Sequence, residues 1–263
     1  MKQPRVILRA VALCSLIAFT YALWGAVSIF VFPFEKTARR WRSFMFRRLA
    51  GAAAAIIGMR MTVYGTPPRP PFFLVSNHLS YIDVIVLAAH LDCVFIAKSD
   101  VSAWPVIGRL CRSAKTIFID RNNRKDIPRV IGLIEKTLKT GQGIVLFAEG
   151  TSSEGARVLP FNSSLLEPAA RAGYRVSYAS ISYRTPADAV PAHLSVCWWG
   201  DMTFIKHLLG LFRLPEFNAT LVFGEETFRE DNRKILADKL WNAVQSQFIP
   251  VVSEEKEWST SIH

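Results

Sequence analysis

The chain has 263 residues, of which 51% are apolar and 20% charged, and its mean hydropathy is +0.22. These values fit one or two globular domains and exclude a disordered, collagenous or low-complexity protein. Four cysteines (Cys14, Cys93, Cys111, Cys197) with no C-x-x-C spacing exclude a disulfide scaffold and a structural zinc site, and fit a reducing compartment. The net charge is +11, and residues 1–48 alone carry nine basic side chains against one acid. A basic excess gathered around an apolar run points to anionic lipid rather than to nucleic acid.

Ala10–Phe32 contains no charged residue. As a helix it is long enough for a bilayer core of ~30 Å, and its length and the lack of an A-x-A site favour a retained transmembrane anchor over a cleaved signal. Three basic residues precede the run and six follow it up to Arg48, which puts its C-terminal side in the cytoplasm. Leu49–Met59 is apolar but too short to span, so residues 34–59 are read as a helix lying on the membrane surface or packed in the core. The expected division is 1–59 as anchor and interfacial helix, 60–252 as the catalytic domain and 253–263 as a polar tail.

Beyond residue 60 short β-rich runs alternate with helical patterns. Predicted strands are Thr62–Tyr64, Phe72–Val75, Val94–Ala97, Thr116–Ile119, Ile144–Phe147, Val176–Ser182, Leu194–Trp198 and Thr220–Phe223. Predicted helices are Tyr81–His90, Pro105–Arg112, Ile127–Thr140, Ser164–Arg171, Asp201–Leu211 and Asp231–Gln247. This alternation predicts an α/β fold with a mixed, largely parallel central sheet flanked by helices.

Three polar clusters follow predicted strand ends, where α/β sheets place their ligands. The first is Ser76-Asn77-His78-Leu79-Ser80-Tyr81-Ile82-Asp83. In one continuous helix His78 and Asp83 would point apart, so they meet only if His78 precedes the helix. Ser80 is a suitable N-cap with Asp83 at N3 as the capping-box acid. Asp83 then either orients the imidazole for proton abstraction or merely caps the helix. The second cluster is Asp120-Arg121 after Ile117-Phe118-Ile119, and the third is Glu149-Gly150-Thr151-Ser152 after Phe147-Ala148. A guanidinium suits an anionic headgroup, and a glycine lets backbone N–H groups approach one. Lys206 and His207 are read as surface residues, and the aromatic stretch from Trp198 to Phe212 as core packing. No HExxH, metal-ligand cluster or EF-hand spacing occurs, and no G-x-S-x-G nucleophile elbow.

These clusters resemble the motif blocks of the glycerophospholipid acyltransferases of the 1-acylglycerol-3-phosphate type. Asn77–Asp83 is similar to the NHxSxxD block, Phe118–Arg121 to the second block, and Phe147–Ser152 to FPEGTRS with Ala148 for Pro and Ser152 for Arg. Ala97-Lys98 and Trp104–Gly108 resemble the segment between the first two blocks. The fourth block, Val176–Ser182, lacks the usual proline. The resemblance covers residues 60–185. It implies membrane-bound acyl transfer without a metal or cofactor, from acyl-CoA or acyl carrier protein to a lysolipid hydroxyl. His78 would be the general base and Asp83 its orienting acid. Arg121, Glu149, Gly150 and Thr151, with Lys98 and Asn77, would hold the acceptor. Lysophosphatidic acid is the leading acceptor, and lyso-ornithine lipid, or a lipid-binding role without catalysis, the alternative.

Overall fold

The computed structural model describes residues 2–120 and 126–252, so Arg121 and the 253–263 tail lie outside the described residues. Two helices lead the chain, α1 (Lys2–Val31) and α2 (Glu35–Ile56). The domain that follows runs β1 (Met59–Tyr64), β2 (Phe73–Ser76), α3 (Ile82–His90), β3 (Cys93–Lys98), α4 (Ile107–Ser113), β4 (Ile117–Ile119), α5 (Asp126–Lys139) and β5 (Gly143–Phe147). It continues with α6 (Glu167–Ala172), β6 (Val176–Arg184), α7 (Ala192–Ser195), α8 (Phe204–Arg213), β7 (Phe217–Phe223) and α9 (Arg233–Gln247).

Among the described residues the strands form one seven-stranded sheet in the order β1-β7-β6-β2-β5-β3-β4. Every neighbouring pair is parallel except β6 with β7. The mixed, largely parallel sheet is therefore the one expected. Its central strands β2 and β5 are buried along their whole length, as strands covered on both faces must be.

Leu194–Trp198 is not the expected strand. Pro191 opens the short helix α7 there, and Val196 and Cys197 are buried behind it. A short apolar run carries no period that separates a strand from a buried helical turn. Helix α8 starts at Phe204, three residues later than expected. The second half of α2 is core rather than surface: Ala50, Ala53 and Ala54 are buried, and Ile57 and Met59 carry the chain into the sheet.

Helix α1 is long and apolar enough to cross a membrane, and only 6% of its most apolar window is buried. It rests on the domain from its N-terminal turns to its middle. The Arg5 guanidinium donates to Arg213 O, and Arg9 donates to Phe212 O, Leu214 O and Pro215 O. These arginines satisfy carbonyls that the end of α8 leaves open. Twelve residues on, Tyr21 Oη donates to Ser113 Oγ on α4 at 2.9 Å. The opposite side of α1 exposes Ile7, Leu8, Val11, Phe19, Ile29 and Phe30.

Candidate active site

The sheet register assembles the site. Ser76, the last residue of β2, pairs with Phe147 at the end of β5 and with Ala179 on β6. Residues just beyond β2 and β5 therefore meet at one edge, beside the middle of β6. His78 and Glu149 each stand two residues past their strand, and the His78 backbone N–H donates to Glu149 Oε1 at 2.9 Å.

His78 lies before α3 begins, so it faces Asp83 as required. His78 Nδ1 is 2.7 Å from Asp83 Oδ2. The Asp83 side chain is fully buried while that of His78 is 23% exposed. A buried carboxylate acceptor assigns the proton to Nδ1 and leaves Nε2 as the basic nitrogen on the open side. The imidazole also stacks on Phe147, centroids 4.2 Å apart.

Asp83 does more than orient the ring: it makes the acid's half of the expected capping box. Its Oδ2 also accepts the backbone N–H groups of Leu79 (2.7 Å) and Ser80 (3.0 Å). The Ser80 hydroxyl is buried and makes no hydrogen bond, so it is not the side-chain cap. The loop is capped from inside the helix by the acid, because Oδ2 reaches back to amides that a serine hydroxyl would otherwise leave open.

The other oxygen, Asp83 Oδ1, accepts from the hydroxyl of Tyr183 at 2.6 Å. Tyr183 stands near the end of β6 and is 3% exposed. Burial, then the nearby Asp83 charge, hold its phenol well above the usual range, so it stays a donor. Sequence reasoning missed Tyr183. Its only signal is alternation along β6, and its partner lies 100 residues away. Tyr183→Phe is expected to lower stability by about 1.5–3 kcal/mol, as for a hydrogen bond to a charged group. Denaturant unfolding measures the effect.

The predicted headgroup residues divide. Glu149 lies at the centre, 8% exposed, with Oε2 lacking a hydrogen bond of ordinary geometry. Burial raises its pKa to about 8, opposed by the amides of His78 and Leu159 and reinforced by the Asp83 charge. A carboxyl whose folded pKa is raised stabilises most at low pH. That contribution is lost as pH rises from about 4.5 towards about 8. Glu149→Gln keeps an oxygen for the His78 amide, so thermal unfolding of this variant from pH 5 to 8 should show a flatter decline than wild type.

Gly150 takes φ +79°, a conformation suited to glycine, and its N–H turns back to Phe147 O at 3.2 Å. Thr151 beside it is exposed. Asn77 is held inside instead of facing a ligand: its amide donates to Ile181 O and accepts from Ile181 N–H, tying the loop to β6. Lys98 ends β3 at the surface in an ion pair with Asp100. Asp120 follows β4 at the far edge of the sheet, and its N–H donates to Asp126.

His207 is buried and not at the surface as expected. The Tyr81 hydroxyl lies 3.0 Å from its Nδ1, and its Nε2 lies 2.9 Å from Cys197 O. Burial lowers its pKa, which fits a neutral ring bridging the two. Tyr81 packs edge to face on His207, Trp198 and Phe204 pack on Tyr81, and Trp104 packs on both, an aromatic wall next to the His78 loop.

A buried acid behind an imidazole with one open nitrogen is the apparatus for taking a proton from a hydroxyl. The acyltransferase family model matches residues 60–184. The lyso-ornithine lipid O-acyltransferase of Rhizobium meliloti is 34% identical over 239 residues, covering 85% of this chain and 80% of that protein. The 1-acyl-sn-glycerol-3-phosphate acyltransferase of Neisseria gonorrhoeae is 30% identical over 198 residues, covering 74% and 77%. In fold, the chain matches the crystal structure of a 1-acyl-sn-glycerophosphate acyltransferase from Thermotoga maritima. The TM-score is 0.64 at 20% identity, covering 94% of this chain and 97% of that one. The chain belongs to the glycerophospholipid acyltransferase family, and is an O-acyltransferase acting on a lysolipid.

Proposed function

We propose that this enzyme moves a fatty acyl group from an acyl thioester, acyl-CoA or acyl carrier protein, to the free hydroxyl of lyso-ornithine lipid. The observation that carries the chemistry is the 2.7 Å contact between His78 Nδ1 and buried Asp83. His78 Nε2 takes the proton of the acceptor hydroxyl as its oxygen attacks the thioester carbonyl. The tetrahedral intermediate collapses, the C–S bond breaks, and the imidazolium returns its proton to the leaving thiolate. Asp83 holds the ring in the required tautomer and stabilises the imidazolium.

Two observations favour the ornithine-bearing acceptor. Relatives named for it cover most of the chain, the Brucella abortus one at 34% identity over 84%. Ser152 stands where the third block usually has arginine, which removes a cation from the place expected to take a phosphate. Lysophosphatidic acid is the second reading, favoured by the neisserial relative. The outer face of α1 is the surface for the bilayer, with the inner face fastened to the domain by Arg5, Arg9 and Tyr21.

The test is acyl transfer from labelled acyl-CoA and acyl carrier protein, with both lysolipids offered side by side in detergent or vesicles. Label entering ornithine lipid supports the proposal. Label only in phosphatidic acid would replace the acceptor and keep the mechanism.

A further inference from the structure

After Gly150 the chain folds over Trp199 and leaves a cleft of about 270 Å³, with room for a headgroup of amino-acid size. Ser152, Ser153, Glu154, Arg157 and Trp199 line it. Two contacts place it beside the reacting centre. The Ser153 backbone N–H donates to His78 O at 3.1 Å. Gly155 sits so close to Leu79 that a Cβ there would lie 3.2 Å from Leu79 Cδ2.

Glu154 and Arg157 bring opposite charges to this wall, and neither makes an ion pair among the described residues. Ser153 is 8% exposed, and its hydroxyl has no partner. The Trp199 indole N–H donates to His193 O, which leaves the ring as a wall rather than a donor. Neither the His78–Asp83 pair nor the sheet uses Glu154 or Arg157.

We propose that this cleft is the acceptor headgroup subsite and that it takes a zwitterionic amino-acid headgroup. Arg157 binds the headgroup carboxylate, and Glu154, with the face of Trp199, binds its ammonium. The inference rests on the ornithine-lipid reading above and assigns that acceptor its specificity. An ornithine head joined to its lipid through one nitrogen still carries a carboxylate and an ammonium. Guanidinium matches carboxylate in a planar, two-bond geometry, and an ammonium gains from both a carboxylate and an indole face. A phosphate monoester offers Arg157 a partner, but it brings no cation and places its charge against Glu154. The head lies several bonds from the reacting hydroxyl, so it must be held at one remove from His78, where the cleft opens.

The test pairs variants with acceptor analogues, using the full-length enzyme in vesicles. Acceptors are lyso-ornithine lipid, its N-acetylated form lacking the ammonium, its carboxamide form lacking the carboxylate, and lysophosphatidic acid. Wild type should lose about 10–100-fold in kcat/KM on each neutralised analogue, the range of a hydrogen bond to a charged group. Glu154→Gln should lose about as much on lyso-ornithine lipid, through acceptor KM, and then lose nothing more on the N-acetyl analogue. Arg157→Gln should behave in the same way towards the carboxamide. Both side chains are partly or fully exposed, so the variants test binding rather than folding. The subsite is overturned if wild type acylates lyso-ornithine lipid but both variants keep its KM, or if variant and analogue losses simply multiply. Transfer by wild type to lysophosphatidic acid alone removes the acceptor reading itself, a result visible before any variant is made.

Discussion

His78→Ala should lower acyl transfer by about 10²–10⁴-fold while the protein stays folded, the range of a lost general base. Stability is spared because of how the loop is held. Without the imidazole, Asp83 still accepts from Leu79, Ser80 and Tyr183. The His78 backbone still donates to Glu149, and that bond does not depend on the side chain. The ring is partly exposed and covers chiefly Phe147, so its removal opens no sealed cavity. The measurement is label transfer from acyl thioester beside a thermal unfolding curve. Near-wild-type transfer by this variant would sink the mechanism.

Asp83→Ala should remove activity and stability together. The side chain is fully buried, and the variant leaves four donors without an acceptor: His78 Nδ1, the amides of Leu79 and Ser80, and the Tyr183 hydroxyl. Breaking a buried charged network from one side is worth about 3–5 kcal/mol. Much of the protein should therefore unfold at lower denaturant. Asp83→Asn separates the two roles. Its amide oxygen can face the three Oδ2 donors while its NH₂ turns to the tyrosine oxygen. Stability should then fall less than in Asp83→Ala, while transfer still drops on the order of 10²-fold or more because the imidazolium loses its counter-charge. Chemical denaturation and initial rates on the two variants distinguish these outcomes. Equal rates for Asp83→Asn and wild type would mean that the acid serves the loop alone.

What was legible beforehand followed locality. The parallel core, the His78–Asp83 pair and the place of Glu149 all follow from short windows: an apolar run, a polar cluster, then a helix. The pair is five residues apart, so one helix start decides it. Tyr183, Asn77 and His207 are different, because their partners are Asp83, Ile181 and Tyr81, at separations of 100, 104 and 126 residues. Nothing in a window around Tyr183 distinguishes a strand tyrosine that covers the sheet from one that donates to a buried acid. Asn77 entered the acceptor-holding set through the resemblance, yet β6 passes close enough to take both of its polar atoms. Of the expected capping box only the acid's half forms: Asp83 reaches back to the Ser80 amide, while the Ser80 hydroxyl makes no hydrogen bond.

The backbone of the catalytic loop has a separate consequence. The N–H groups of His78, Leu79 and Ser80 are bound by carboxylates, and the Asn77 side chain by the backbone of Ile181. The N–H side of the loop is thus held by carboxylates from α3 and the turn after β5, and the Asn77 side chain by the β6 backbone, and not by an extension of the β2 ladder. Its carbonyls take the amides of Ser153 and Trp198. A change at Asn77, Asp83 or Glu149 therefore strikes the loop directly while leaving every rung of the β2 ladder in place.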